Sequence, residues 1–169
     1  MHTSTEPPPR RIIVGCVGNV LRGDDGFGPA VAARLGRLPV GVEVLETGIG
    51  GIALLQELLV GCDGLIVVDA VDRGAAPGTV FAIAPDVADY DQVPDMHLAT
   101  PERVLSMAKG LGCLPACVLM VGCQPFDAQS LGQGLSPEVE GALDVAVEQV
   151  REVVEDWLNE PSAGGPRSR

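Results

Sequence analysis

Short apolar runs alternate along the chain with stretches in which apolar residues recur every three or four positions. That alternation predicts a largely parallel sheet covered by helices on both faces. RIIVGCVG (11–18) reads as the first strand, and a helix over 26–38 follows it, with Val31, Leu35 and Leu38 at i, i+4 and i+7. VEVLET (42–47) is the second strand, leading through the turn GIGG to a helix over 52–59. GLIVVDAV (64–71) is a continuous apolar run broken by a single acid, as expected of a strand buried on both faces. GTVFAIA (78–84) is the fourth strand; the connection DRGAAPG is too short for a crossover helix, so strands three and four are expected to be antiparallel neighbours. A polar loop then leads to a helix near Thr100, where Thr-Pro-Glu-Arg offers an N-cap with proline at the first helical position. ACVLMVGC (116–123) is the fifth strand. A final amphipathic helix begins at Ser136, has Pro137 at its first position and runs to about Leu158, with Trp157 anchoring its end.

Composition narrows the functions this scaffold can carry. A chain of 169 residues fits one domain with a substantial core. Residues 1–10 and 161–169 are rich in Pro, Gly and Ser and read as a disordered head and tail around a single domain over 11–160. Aromatic residues make up only 3%, leaving little for base stacking, and a net charge of −12 repels polyanions, so neither nucleic acid nor an anionic membrane is expected as a partner. The head lacks the apolar segment of a signal peptide and no apolar run approaches a membrane span; the expectation is a cytoplasmic monomer. Five cysteines, none in a CxxC pair, mostly lie within apolar runs and read as buried free thiols.

Candidate chemistry concentrates where an open parallel sheet binds ligands, beyond the carboxyl ends of its strands. That edge should carry Asn19 to Asp25, Thr47 to Gly51, Asp69, and Gln124 to Asp127. The turn after the first strand lacks the spacing of a dinucleotide fingerprint. It has the glycine spacing of a phosphate-binding loop, Gly18-Asn-Val-Leu-Arg-Gly23, but Asp24 and Asp25 stand where Lys and Ser or Thr should meet the phosphates. Two carboxylates there repel an anion. One of them reads as a helix cap, and the second is free to hold a cation. Asp69, closing the third strand, and His97, in the loop before the third helix, complete a set of two carboxylates and one imidazole that suits a divalent transition metal.

These residues resemble a known family. Gly18-Asn19, Asp24-Asp25-Gly26-x-Gly28, the turn 48–51, VVDA at 67–70, PGTV at 77–80, His97 before a helix, and GCQP at 122–125 occur in the order found in the hydrogenase maturation proteases. Those endopeptidases remove a C-terminal extension from the precursor of the nickel–iron hydrogenase large subunit. The resemblance implies an α/β fold, a three-layer αβα sandwich whose five-stranded sheet is mostly parallel with one antiparallel edge strand. It also implies a catalytic, metal-binding trio of Asp25, Asp69 and His97. Nickel would be supplied by the precursor, so the isolated protein need hold no metal. Asn19, Gly48, Gly50 and Gly51 are expected to form the substrate loop, with Asp24 as a helix cap or support behind the trio. A rival reading is a non-cleaving, nickel-dependent chaperone or binding module for the same precursor.

Overall fold

A computed structural model describes residues 10–48, 51–89 and 100–160. The strands are β1 (Ile12–Val17), β2 (Val42–Gly48), β3 (Gly64–Ala70), β4 (Val80–Ile83) and β5 (Cys117–Cys123), and the helices α1 (Phe27–Leu35), α2 (Ile52–Val60), α3 (Pro101–Gly110) and α4 (Pro137–Asn159). They build one five-stranded sheet in the order β2-β1-β3-β5-β4, parallel throughout except for β4, which runs antiparallel to β5 at the edge.

Alternation along the central strands divides the core in two. Ile12, Val14, Cys16, Ile66 and Val68 pack with residues of α1 and α4 on one face, while Ile13, Leu65 and Val67 pack with α2 and α3 on the other. Side chains of successive strand residues point to opposite faces, so a run such as Leu65–Val68 supplies both cores at once. The domain is therefore the three-layer sandwich expected.

The sequence expectation needs correcting in β4. Its direction is right but its neighbour is wrong: β4 pairs with β5, which lies between it and β3. The central position goes to the strand that can be buried. β5 continues β3 in full register from Gly64↔Cys117 to Ala70↔Cys123, whereas β4 is short and half-exposed, as an edge strand tolerates. The first helix also differs. Gly23–Gly26 form a turn of 3-10 helix before α1, and α1 stops at Leu35 because Gly36 adopts φ 60°, which ends the helical path.

Both ends of the described chain meet at the amino ends of β1 and β3. Trp157 packs into the core beside Gly64, where a Cβ would come within 2.6 Å of the indole. Its carbonyl accepts a 2.6 Å hydrogen bond from Arg10, a residue the composition assigns to the head. The remainder of the head, 1–9, and the tail, 161–169, lie outside the described residues. Among the described residues no helix is long and apolar enough to cross a membrane.

Candidate active site

The carboxyl ends of β1, β2, β3 and β5 and the loops beyond them carry Asn19, Asp24, Asp25, Gly48, Gly51, Asp69 and Gln124 of the residues that the sequence singles out. After β1 the chain turns at Gly18, whose φ of 142° suits glycine and where a Cβ would lie 1.9 Å from the Asp25 carbonyl oxygen. Asn19 then folds the loop on itself: its side-chain oxygen accepts from Leu21 N at 2.9 Å, and its backbone N–H donates to Asp25 Oδ2 at 3.1 Å. The Asp25 carboxylate is thus aimed by the main chain of the loop it closes.

Asp69 comes to this place from the end of β3, opposite Gly122 of β5, and is 8% exposed. Burial, followed by the nearby charges of Asp25 and then Glu102, pushes its carboxyl up to about 8, against a weaker opposing pull from the Ala70 N–H. Asp25 is raised above the ordinary carboxylate range as well, by burial, with Asn19 N–H and Arg22 working against it. Two acids that feel one another in a partly dry pocket resist ionising together, and such a pair can hold and move a proton near neutral pH or share a cation. Glu102 belongs to the first turn of α3, so that turn lies within electrostatic reach of Asp69.

Asp24 has a different task. It does not cap the helix that follows, since neither the 3-10 turn nor α1 shows a side-chain cap. Instead, its buried carboxylate accepts four hydrogen bonds: Phe126 N at 2.8 Å, Asp127 N at 3.0 Å, Ser136 N at 2.7 Å and Ser136 Oγ at 2.9 Å. Burial alone would raise this group, but the Ser136, Asp127 and Phe126 donors outweigh it and hold the carboxyl below its ordinary range. Ser136 is the N-cap of α4, its hydroxyl accepting from Val139 N, so Asp24 ties the loop after β5 and the start of α4 to the turn that presents Asp25. Asp24→Ala leaves several buried N–H groups without an acceptor and is expected to lower stability by about 3 kcal/mol. In thermal unfolding followed by circular dichroism this amounts to a drop of about 10 °C.

Gln124 of the GCQP segment performs a similar service for the β3–β4 connection. Its side-chain oxygen accepts from Arg73 N at 2.7 Å and Ala75 N at 3.1 Å, and its amide donates to Asp72 at 3.0 Å. Gly78 of PGTV donates to the Gln124 carbonyl at 2.8 Å. These two motifs are bound to one another and fix the rim beside Asp69.

On the β2 side, the β1–β2 register slips between Cys16 and Val17, which pair with Glu46 and Gly48, so Thr47 forms a bulge at the site edge. Gly48 has φ 58° and open space where a Cβ would stand, so glycine serves its backbone conformation there rather than a close approach. Gly51 is buried before α2; Gly50 and His97 lie outside the described residues. Among the described residues, no three His, Cys, Asp or Glu side chains gather into a metal site. The five thiols are free; burial pushes Cys16 up to about 12 and Cys62 and Cys123 up to about 11, away from the reactive thiolate range.

An open, mostly parallel sheet with two raised carboxyls near its strand ends, Asp25 and Asp69, is the arrangement of an α/β protein with a candidate site at that edge. Comparison with known proteins makes this specific. The model of the hydrogenase maturation protease family matches residues 30–153. The chain is 33% identical to the hydrogenase expression/formation protein HupD of Rhodobacter capsulatus over 92% of its own length and 77% of that protein's. It is 35% identical to HupD of Rhizobium leguminosarum bv. viciae, covering 89% and 77%. The structure superposes on the hydrogenase maturating endopeptidase HybD from E. coli with a TM-score of 0.70 and 30% identity, covering 87% of this chain and 93% of the other. The chain belongs to the hydrogenase maturation protease family. It is a protease, and not the non-cleaving binding module that the sequence alone left open.

Proposed function

We propose that this protease removes the C-terminal extension of the nickel-loaded large-subunit precursor of a nickel–iron hydrogenase, in the cytoplasm, with Asp25, Asp69 and His97 gripping the nickel that the precursor carries. The observation that carries this reading is the acid pair: Asp69 ends a buried strand within the field of Asp25, and the energetic strain of two like charges is relieved by a cation between them. Carboxylate oxygens and an imidazole nitrogen suit nickel among the divalent metals. The third ligand of this reading, His97, precedes Thr100, the N-cap of α3, by three residues in the sequence, and Glu102 in the first turn of α3 acts on Asp69.

In this reading Asp25 is held by the Asn19 N–H and meets the cargo ion with a fixed orientation. Asp69 carries a proton near neutral pH, gives it up when the cation arrives, and so registers that the precursor is loaded. Gly48, exposed and with open space where a side chain would stand, offers a bare main-chain margin along which the client backbone can lie. Bound nickel supplies Lewis-acid polarisation of the scissile carbonyl or of an attacking water.

Purified protein mixed with nickel-loaded and nickel-free precursor tests the proposal by intact-mass spectrometry. Shortening of the loaded precursor only, lost in His97→Ala while the fold is retained, is the expected result. Equal shortening of both precursors, or wild-type processing by the His97 variant, contradicts it.

A further inference from the structure

Beside the acid pair lies a surface that the chemistry above does not use. Gly23, Phe126 and Leu131 are among the residues bordering a cleft of about 290 Å³, with Asp24 in its wall. The loop after β1 and the loop after β5 are knitted together there: Gly132 N donates to Leu21 O and Gly23 N to Gly132 O, both at 3.0 Å. Held on this frame are four large apolar side chains turned to solvent, Leu131 at 84% exposure, Phe126 at 68%, and Val20 and Leu21 at about half. Fixed apolar groups cannot hide by rearrangement, so their exposure implies an occupant.

Charge and position say what kind. In a chain with 23 acidic residues, 128–136 contains no ionisable side chain, and Gly132 and Gly134 leave main chain bare along the cleft. Apolar side chains and accessible peptide groups around the carboxylates of Asp24 and Asp127 suit an extended polypeptide with apolar side chains rather than a polyanion. The wall is continuous with the site, because the cleft reaches Asp24 and the next residue is Asp25.

We propose that the rim formed by Val20, Leu21, Phe126 and Leu131 is a substrate subsite that seats an apolar stretch of the client polypeptide next to the cleaved bond. The subsite rests on the reading that the client is the hydrogenase precursor. It makes Phe126 and Leu131 determinants of client affinity and leaves the chemical step to the acids.

Steady-state cleavage of nickel-loaded precursor by wild type, Phe126→Asp, Leu131→Asp and Val145→Asp tests this, Val145 being an exposed apolar residue on α4, away from the rim. The rim variants should raise KM about tenfold, with kcat within about twofold of wild type and an unchanged unfolding temperature. Val145→Asp should change nothing. A wild-type KM in both rim variants overturns the subsite while leaving the protease reading intact. If wild type leaves the precursor whole, that reading fails first, and calorimetric binding of the same precursor decides the subsite: equal affinity for wild type and Leu131→Asp overturns it. A wild-type dimer in sedimentation that Leu131→Asp converts to monomer overturns it too, since a second copy would then cover the rim.

Discussion

Asp69→Asn is expected to cut processing of the nickel-loaded precursor by about a hundredfold or more while raising the unfolding temperature near pH 8. The first effect follows from the proposed mechanism, in which the substitution removes a proton-transfer group and an anionic ligand together. The second follows from where Asp69 sits. Its carboxyl is pushed up to about 8 in the folded protein, against an ordinary value of 3.8. Below pH 4 both folded and unfolded chains keep this proton. As the pH climbs, the unfolded chain ionises first and gains free energy that the folded chain cannot match, so stability declines until the folded group ionises near pH 8. Each pH unit in that window costs about 1.4 kcal/mol at most. Asparagine has no such slope, and at pH 8 the variant should be more stable than wild type by a few kcal/mol. Melting curves at pH 4, 6 and 8 decide the matter: the two proteins should diverge with rising pH, and parallel behaviour would show that Asp69 ionises as an ordinary exposed acid.

The second large effect is structural. A Cβ on Gly28 would lie 2.1 Å from the Val17 carbonyl oxygen and 2.8 Å from both Val17 N and Val68 O. These are backbone atoms of β1 and β3, which cannot turn aside as a side chain can. α1 would have to lift off the sheet, taking Phe27, Val31 and Leu35 with it, all fully buried. Gly28→Ala is expected to cost about 3 kcal/mol or more, lowering the unfolding temperature by about 10 °C. It should also impair cleavage, because the turn carrying Asp24 and Asp25 leads directly into α1. The control is Gly141→Ala on α4, where the added methyl meets nothing within 4 Å; there the better helix propensity of alanine should stabilise by up to about 1 kcal/mol. A Gly28→Ala protein as stable as wild type would refute the close helix–sheet contact.

Much of this architecture is legible in the sequence because local pattern and burial agree. β3 is a continuous apolar run because both faces are covered, and α4 announces itself through Ser136, Pro137 and a long amphipathic repeat. Strand order is less legible. The connection 71–79 fixes the direction of β4 but carries no information on whether β5 will slip between it and β3. Proximity of Asp25 and Asp69 could be anticipated from the strand-end rule, since Asp25 follows β1 and Asp69 lies at the carboxyl end of the parallel strand beside it. The role of Asp24 could not: three of its four donors are main-chain N–H groups, which every sequence contains, and all belong to residues more than a hundred positions away. Gln124 is hidden for the same reason, as its task is defined by the backbone of the β3–β4 connection.

The long reach of Asp24 has a bearing on biosynthesis. Its partners Phe126, Asp127 and Ser136 stand 102, 103 and 112 positions further along. A ribosome delivers β1 and the turn with Asp25 early, yet the clamp on that turn cannot close until Ser136 has emerged. Contacts of such long sequence separation form late, after much loop entropy has been lost. A peptidase assembled in this order clamps the turn that bears Asp25 only once Ser136 has been made.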